Sequence, residues 1–254
     1  MTARDVVDAT LRVAEYDGVV HVELCRPGKK NAINAAMAAE LHEVCARLEA
    51  EPRTLVISGA GGVFAAGADI AEMRLRRTRD ALAGINSSLF RRVQHLPMPV
   101  IAAVDGWALG GGAELAYAAD FRIASTAARF GNPEVGLGIA AAAGGSWRLA
   151  ELVGEPIAKH ILLAGMVLDA AAALSHRLVT EVVAPEDLLP AAFRLAGRIA
   201  KGAPTAVRLT KALLAAPGAA HPVIDDIAQA VLFESDDKER RMAEFLERRR
   251  DHAS

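Results

Sequence analysis

The sequence predicts an α/β fold followed by an all-helical C-terminal part, and three observations carry that prediction. Short apolar runs alternate with longer stretches of helical period as far as Leu188, the pattern of strands and helices packed in layers. Beyond Leu188 the strand signal disappears. Hydrophobic residues make up 52% of the 254 residues and aromatics only 4%, so small side chains supply much of the apolar surface and let layers approach closely. A chain of this length sits near the upper size for one hydrophobic core. One core with an appended element is therefore expected, residues 1–190 and then a helical region, 191–254.

Taken in order, Val19 to Leu24 alternates apolar and polar residues, as a half-buried strand does. Leu55 to Ser58 and Val100 to Val104 are near-continuous apolar runs, the sign of strands covered on both faces. Phe121 to Ser125 is a further candidate. Between them, Ala35 to Ala50 carries Met37, Leu41, Val44 and Leu48 at helical spacing, and Glu114 to Ala119 continues from a glycine run as helix. Met73, Leu75, Leu82, Ile85 and Leu89 read as the core stripe of another helix. Leu188 to Lys201, Ala203 to Ala215, Val223 to Phe233 and Asp237 to Arg250 read as helices divided by Pro204, Pro217 and Pro222. In the last, Met242, Phe245 and Leu246 form a narrow apolar stripe, which docks either on its own chain or on a neighbouring subunit.

Composition excludes several function classes. A net charge of −2 without a long basic tract gives no electrostatic footprint for nucleic acid. Arg74, Arg76, Arg77 and Arg79 are a local exception, readable as a solvated helix face or as a patch for a polyanion such as the phosphates of coenzyme A. Cys25 and Cys45 have no metal-ligand spacing and make no disulfide framework, which points to a reducing compartment. Met1 to Asp8 carries neither a signal-peptide apolar region nor a transit pattern, and no apolar run reaches a membrane span. A soluble, cytoplasmic protein with no membrane partner is expected. The histidines (His21, His42, His95, His160, His176, His221 and His252) form no i,i+4 pair, so no metal site is expected. Ser58, Ser146 and Ser175 lack a nucleophile-elbow context.

Chemistry concentrates in three segments. Gly59 to Ile70 follows an apolar strand with glycines and alanines that leave backbone N–H groups uncovered, and Asp69 is placed to cap the next helix. Taken alone it reads equally as a tight turn, and it matches neither a P-loop nor a dinucleotide fingerprint. Pro99 to Leu115 runs from a strand through three glycines into a helix whose first turn holds Glu114. A helix start offers unpaired N–H groups and a positive dipole end, the ingredients for holding an oxyanion. The plain alternative is a glycine-rich turn with a favourably placed acid. Phe130 to Ile139 sets Glu134 among glycines and apolar residues. There either desolvation raises its pKa toward that of a general acid, or it is a surface turn residue beside Pro133. Trp107 and Trp147 flank these segments, as pocket lining or as core.

Together the segments resemble the enoyl-CoA hydratase, or crotonase, family. Phe64-Ala-Ala-Gly-Ala-Asp-Ile70, Ile101-Ala-Ala-Val-Asp-Gly-Trp-Ala-Leu-Gly-Gly-Gly-Ala-Glu-Leu115 and Asn132-Pro-Glu134 resemble its signature blocks. So do Arg26 to Asn34 and Ala243 to Arg249, and the likeness covers nearly the whole chain in order. The resemblance implies a crotonase-like spiral of ββα units with a C-terminal helical extension that builds homotrimers or, as pairs of trimers, homohexamers. It implies an acyl-CoA thioester substrate and no separate cofactor. The backbone N–H groups of Ala68 and Gly111 would form an oxyanion hole for the thioester carbonyl. Glu114 and Glu134 would hold one water between them as the catalytic carboxylates. Asn31, Ala32, Ile33, Ala66, Ala68, Asp69, Ile70, Gly110 and Gly111 would meet the coenzyme A and acyl parts, mostly through backbone, and the Met73 to Leu89 stretch would line the acyl pocket.

The implied reaction is hydration of a 2-enoyl-CoA to a 3-hydroxyacyl-CoA, in fatty acid or related acyl-CoA degradation. Two carboxylates favour hydration over double-bond isomerisation, which commonly needs one. An enoyl-CoA isomerase and a catalytically idle acyl-CoA binder are the alternatives. One departure bears on the choice: Ala142 stands where typical hydratases carry a glycine that helps hold the catalytic water, and a left-handed backbone there would strain alanine. Arg240 and Arg241 also replace a family Glu-Gly pair, with no derivable consequence.

Overall fold

The computed structural model describes residues 10–251; the reading of Met1 to Asp8 and that of His252 lie outside the described residues. The chain divides into two compact units, the first ending at Ala196 and the second beginning at Gly197.

In the first unit, β1 (Leu11–Tyr16), β2 (Val19–Leu24), α1 (Ala35–Ala50) and β3 (Thr54–Gly59) come first. Then follow α2 (Ile70–Met73), α3 (Thr78–Ala83), α4 (Ile85–Gln94), β4 (Val100–Val104), β5 (Trp107–Leu109) and α5 (Gly111–Ala118). The unit continues with β6 (Phe121–Ser125), β7 (Arg129–Gly131), α6 (Arg148–Val153), α7 (Glu155–Ala164), β8 (Leu168–Asp169), α8 (Ala170–Ser175) and β9 (Glu181–Val183). Helix α9 (Leu188–Ala200) crosses the division, and α10 (Pro204–Leu214), α11 (Val223–Phe233) and α12 (Asp236–Asp251) belong to the second unit.

The main sheet has the order β1-β2-β3-β4-β6-β9. Only the β1–β2 pair is antiparallel. A smaller sheet has the order β5-β7-β8, and Ala65 joins its edge by a bridge to Ala108. This yields the ββα repeat. The chain runs from β3 through the Ala65 bridge to α2–α4, from β4 through β5 to α5, and from β6 through β7 to α6 and α7. Each turn lays one segment in each sheet and returns by helix.

Burial explains why these segments took these forms. Every residue of β4 and all but the last of β3 are buried, as continuous apolar runs covered on both faces require. Helix α1 buries Met37, Leu41, Val44 and Leu48, and Asn34 caps it by accepting from Met37 N–H at 3.0 Å. The predicted C-terminal helices fall within a residue or two of their observed bounds. The predicted stripe from Met73 to Leu89 does not hold as one element. It is divided among α2, a turn, α3 and α4, and Leu75 and Leu82 are 75% and 84% exposed; Leu89 joins the core and Ile85, partly buried, packs against it. Gly84, with φ of 64°, breaks the helix in the middle of the expected stripe. Trp107 and Trp147 are 43% and 42% exposed, which removes the core reading for both. Arg74, Arg77 and Arg79 are exposed but spread over the end of α2 and the start of α3. Among the described residues no helix is long and apolar enough to cross a membrane.

Candidate active site

Three segments converge. The turn at Arg26–Asn34 meets the loop that follows β3: Ile33 N–H donates to Gly67 O at 2.8 Å, Asp69 N–H to Ile33 O at 2.9 Å, and Ala66 N–H to Lys30 O at 3.0 Å. Asn31 fixes this junction. It is fully buried and left-handed, with φ of 55°, which asparagine tolerates better than most residues. Its side chain accepts from Arg26 N–H at 2.9 Å and donates to Ala60 O at 2.8 Å and Val63 O at 2.6 Å. Arg26 closes the clamp by donating to Ala32 O at 2.5 Å and, with both terminal nitrogens, to Asp69 Oδ2 at 3.1 Å. Asp69 also caps α2 through Ala71 N–H at 3.1 Å. Burial would lift the Asp69 carboxyl, but Arg26 and these N–H donors outweigh it and hold the carboxyl below the usual range. Asn31, Ala32, Ile33, Ala66, Ala68, Asp69 and Ile70 thus form one continuous patch, with Ile70 59% exposed at its rim.

The second segment is the start of α5. Leu109 N–H donates to Ala65 O at 3.0 Å and Gly110 N–H to Gly131 O at 2.9 Å, so the glycine run lies against the first loop. Gly110 takes φ 49° and ψ −125°, open to glycine and strained for other residues. A Cβ on Gly111 would stand 3.5 Å from Ala68 N. The two N–H groups anticipated from sequence are therefore near each other, beside a space that a Cβ on Gly111 would fill. The helix begins at Gly111 rather than at Glu114, because the glycines themselves form its first turn.

The carboxylates come next. Glu114 is 4% exposed and Glu134 7%. Glu114 Oε1 accepts from Ala143 N–H at 2.8 Å and Gly145 N–H at 3.0 Å. Burial, with a smaller contribution from the nearby charge of Glu134, pushes Glu114 up to about 7 against those two donors. Ala142, beside them, is exposed and is not among the residues with positive φ, so the anticipated strain does not arise. Glu134 opens a short 3-10 turn, Glu134–Leu137. Its Oε1 lies 2.9 Å from where a Cβ on Gly110 would be, and its Oε2 is buried without a hydrogen-bond partner. Burial raises its pKa, and Asn132 opposes.

Sequence reasoning missed the support behind this pair. Tyr117, fully buried one turn after Glu114, donates its phenol proton to Asn132 Oδ1 at 3.0 Å. That leaves the Asn132 amide donor 3.5 Å from Glu134 Oε1. A phenol on the buried face of an apolar helix was the available signal, since a buried Tyr O–H needs a partner. Arg122, 4% exposed, was also missed. It donates to Ala119 O and Leu178 O, each at 2.6 Å, tying the C-terminal end of α5 to the segment before β9. Burial pulls its guanidinium down to about 10. Two of the histidines take structural partners: His21 pairs with Ser58 Oγ at 2.8 Å and His95 with Arg91 O at 2.7 Å.

Two buried carboxyls beside the Gly111 N–H at the start of α5 and the Ala68 N–H of the adjoining loop make a site that can stabilise an oxyanion while moving protons. The enoyl-CoA hydratase/isomerase family model matches residues 14–253, and the chain belongs to this family. A crotonyl-CoA hydratase of Syntrophomonas wolfei is 40% identical over 239 residues, covering 89% of this chain and 90% of that protein. A short-chain-enoyl-CoA hydratase of Clostridium acetobutylicum is 38% identical, covering 94% and 95%. Among solved structures, an enoyl-CoA hydratase of Bacillus anthracis superposes with a TM-score of 0.89 at 31% identity, covering 94% of this chain and 96% of that one. A Geobacillus kaustophilus enoyl-CoA hydratase subunit gives 0.88 at 36%, covering 94% and 95%. The fold is theirs: mixed α/β with a helical C-terminal part.

Proposed function

We propose that the chain is an enoyl-CoA hydratase, a hydro-lyase that adds water across the 2,3 double bond of a 2-enoyl-CoA to give the 3-hydroxyacyl-CoA. The observation that carries this reading is the pair of buried carboxyls, Glu114 and Glu134, beside the adjacent N–H groups of Ala68 and Gly111. The thioester oxygen sits between those N–H groups, at the positive end of α5. Glu114 and Glu134 hold one water. One carboxylate takes a proton from it as the hydroxyl adds to C3, and the other, protonated, delivers its proton to C2. The enolate formed on the way places negative charge on the oxygen the N–H groups hold, and losing one such donor generally costs about 3–4 kcal/mol of barrier. Burial, with a smaller contribution from the charge of Glu134, raises Glu114 to about 7, so that it carries a proton part of the time near neutral pH.

The Asn31–Ile33 and Ala66–Ile70 patch, with Gly110 and Gly111, takes the coenzyme A and acyl parts, largely through backbone groups. No cofactor beyond the coenzyme A of the substrate is needed. The setting is acyl-CoA degradation, fatty acid or related, in the cytoplasm. The active form is a homotrimer or a pair of trimers, supported by the exposed apolar side chains of α11 and α12. Mixing the protein with crotonyl-CoA should lower the conjugated thioester absorbance to an equilibrium plateau. An inert crotonyl-CoA together with conjugation of a 3-enoyl-CoA would instead make the enzyme an isomerase.

A further inference from the structure

Helix α4 buries Leu89, Phe90 and Val93. Helical spacing carries that stripe back to Asn86, three residues before Leu89 and four before Phe90. A carboxamide thus occupies a position where the rest of the stripe is apolar. Its Oδ1 is shut off from solvent and has no hydrogen-bond partner. A half-buried amide left in this state is unfavourable for packing, and such groups call for a functional explanation.

The nitrogen end of the same amide, rather than the orphaned oxygen, is what faces the site. Asn86 Nδ2 is 3.4 Å from the point where a Cβ on Gly111 would stand, and Ala68 N is 3.5 Å from the same point. Covalent geometry puts the nitrogen of Gly111 itself about 2.5 Å from that point. Three nitrogens therefore border one small space, two from backbone and one from a side chain. We propose that the Asn86 carboxamide is a third donor to the thioester oxygen, acting most strongly when charge gathers there in the enolate. This rests on the reading of Ala68 and Gly111 as the oxyanion hole. A donor of this kind accelerates the chemical step more than it tightens substrate binding.

The test is Asn86→Leu, which keeps the size and apolar character of the stripe and removes the donor. With crotonyl-CoA, kcat should fall roughly 100- to 1,000-fold with KM little changed. The thermal midpoint should stay level or rise, because an unsatisfied amide has left a core stripe. A second readout needs no turnover: the ultraviolet enolate band of bound acetoacetyl-CoA, whose apparent pKa on the protein should move upward in the variant. Should Asn86→Leu not fold, Asn86→Ala carries the same two readouts. Wild-type kcat with an unmoved enolate titration would overturn the role of Asn86. So would a fall in kcat accompanied by a lower thermal midpoint and an unmoved titration. A wild-type protein that neither hydrates crotonyl-CoA nor enolises acetoacetyl-CoA would instead remove the oxyanion-hole reading beneath it.

Discussion

At the residue scale, Glu114 ties chemistry to stability. Its carboxyl is raised from an ordinary 4.5 to about 7, so the folded protein binds that proton more tightly than the unfolded chain does. The resulting stabilisation, roughly 3 kcal/mol in full, is present below about pH 4.5, has mostly gone by pH 7 and is lost above it. Glu114→Gln keeps an acceptor for Ala143 and Gly145 and never ionises. Its thermal midpoint should exceed that of the wild type at pH 8 and approach it near pH 5; an equal gap at both pH values would refute the assignment. Gly110 makes a second residue-scale case. Gly110→Ala should destabilise by about 1–3 kcal/mol through its backbone angles. Its new Cβ, only 2.9 Å from Glu134 Oε1, should displace the carboxyl and cut hydration further than the stability loss explains. Near-normal kcat in folded Gly110→Ala would show that the position of Glu134 over this glycine is immaterial. Both positions were marked in sequence by a glycine run leading into an acid. The partners Ala143 and Gly145 were not, because they lie up to 31 residues away and act through backbone N–H groups that no side-chain pattern reveals; the Tyr117 phenol signalled a need for a partner but not which one, since Asn132 lies 15 residues on.

At the element scale, the junction between the Arg26–Asn34 turn and the Ala66–Asp69 loop depends on buried Asn31. Removing its side chain leaves the carbonyls of Ala60 and Val63 and the N–H of Arg26 without partners, at about 1–3 kcal/mol for each group left unsatisfied. Asn31→Ala should therefore lower the thermal midpoint by many degrees and raise KM for the acyl-CoA more than it lowers kcat. A variant with unchanged midpoint and KM would show that the clamp does not shape the binding patch. The long elements were legible: α1 and β4 were read to their observed bounds, because periodicity and burial agree there. The short strands β5, β7, β8 and β9, of two or three residues each, were not, since so few residues carry no period. Strand β1 was missed as well; its six residues, with Arg12 and Glu15 among Leu11, Val13, Ala14 and Tyr16, pair along their whole length with β2. The false stripe from Met73 to Leu89 shows the opposite error, apolar spacing read through a glycine that ends the helix.

At the scale of the whole molecule, the second unit leaves an apolar surface that one chain does not cover. Met242, Phe245 and Leu246 of α12 are each 54–55% exposed, and Ile227 and Val231 of α11 are 61% and 55% exposed. Sedimentation should find trimers or pairs of trimers, and Met242→Glu with Phe245→Glu should dissociate them; a monomeric wild type would contradict that assembly. Fold class and family were legible because the signature blocks lie in order along nearly the entire chain, whereas assembly left only a stripe with two possible partners. One water handled by two carboxyls acting as a unit is tested most directly by crotonyl-CoA hydration in Glu114→Gln, Glu134→Gln and the double variant. Each single change should cost on the order of 10²–10⁴ in kcat, as lost acid–base catalysis does. The double change should cost little more, because residues acting as a unit are not additive. Full activity in either single variant, or losses that multiply in the double, would contradict it.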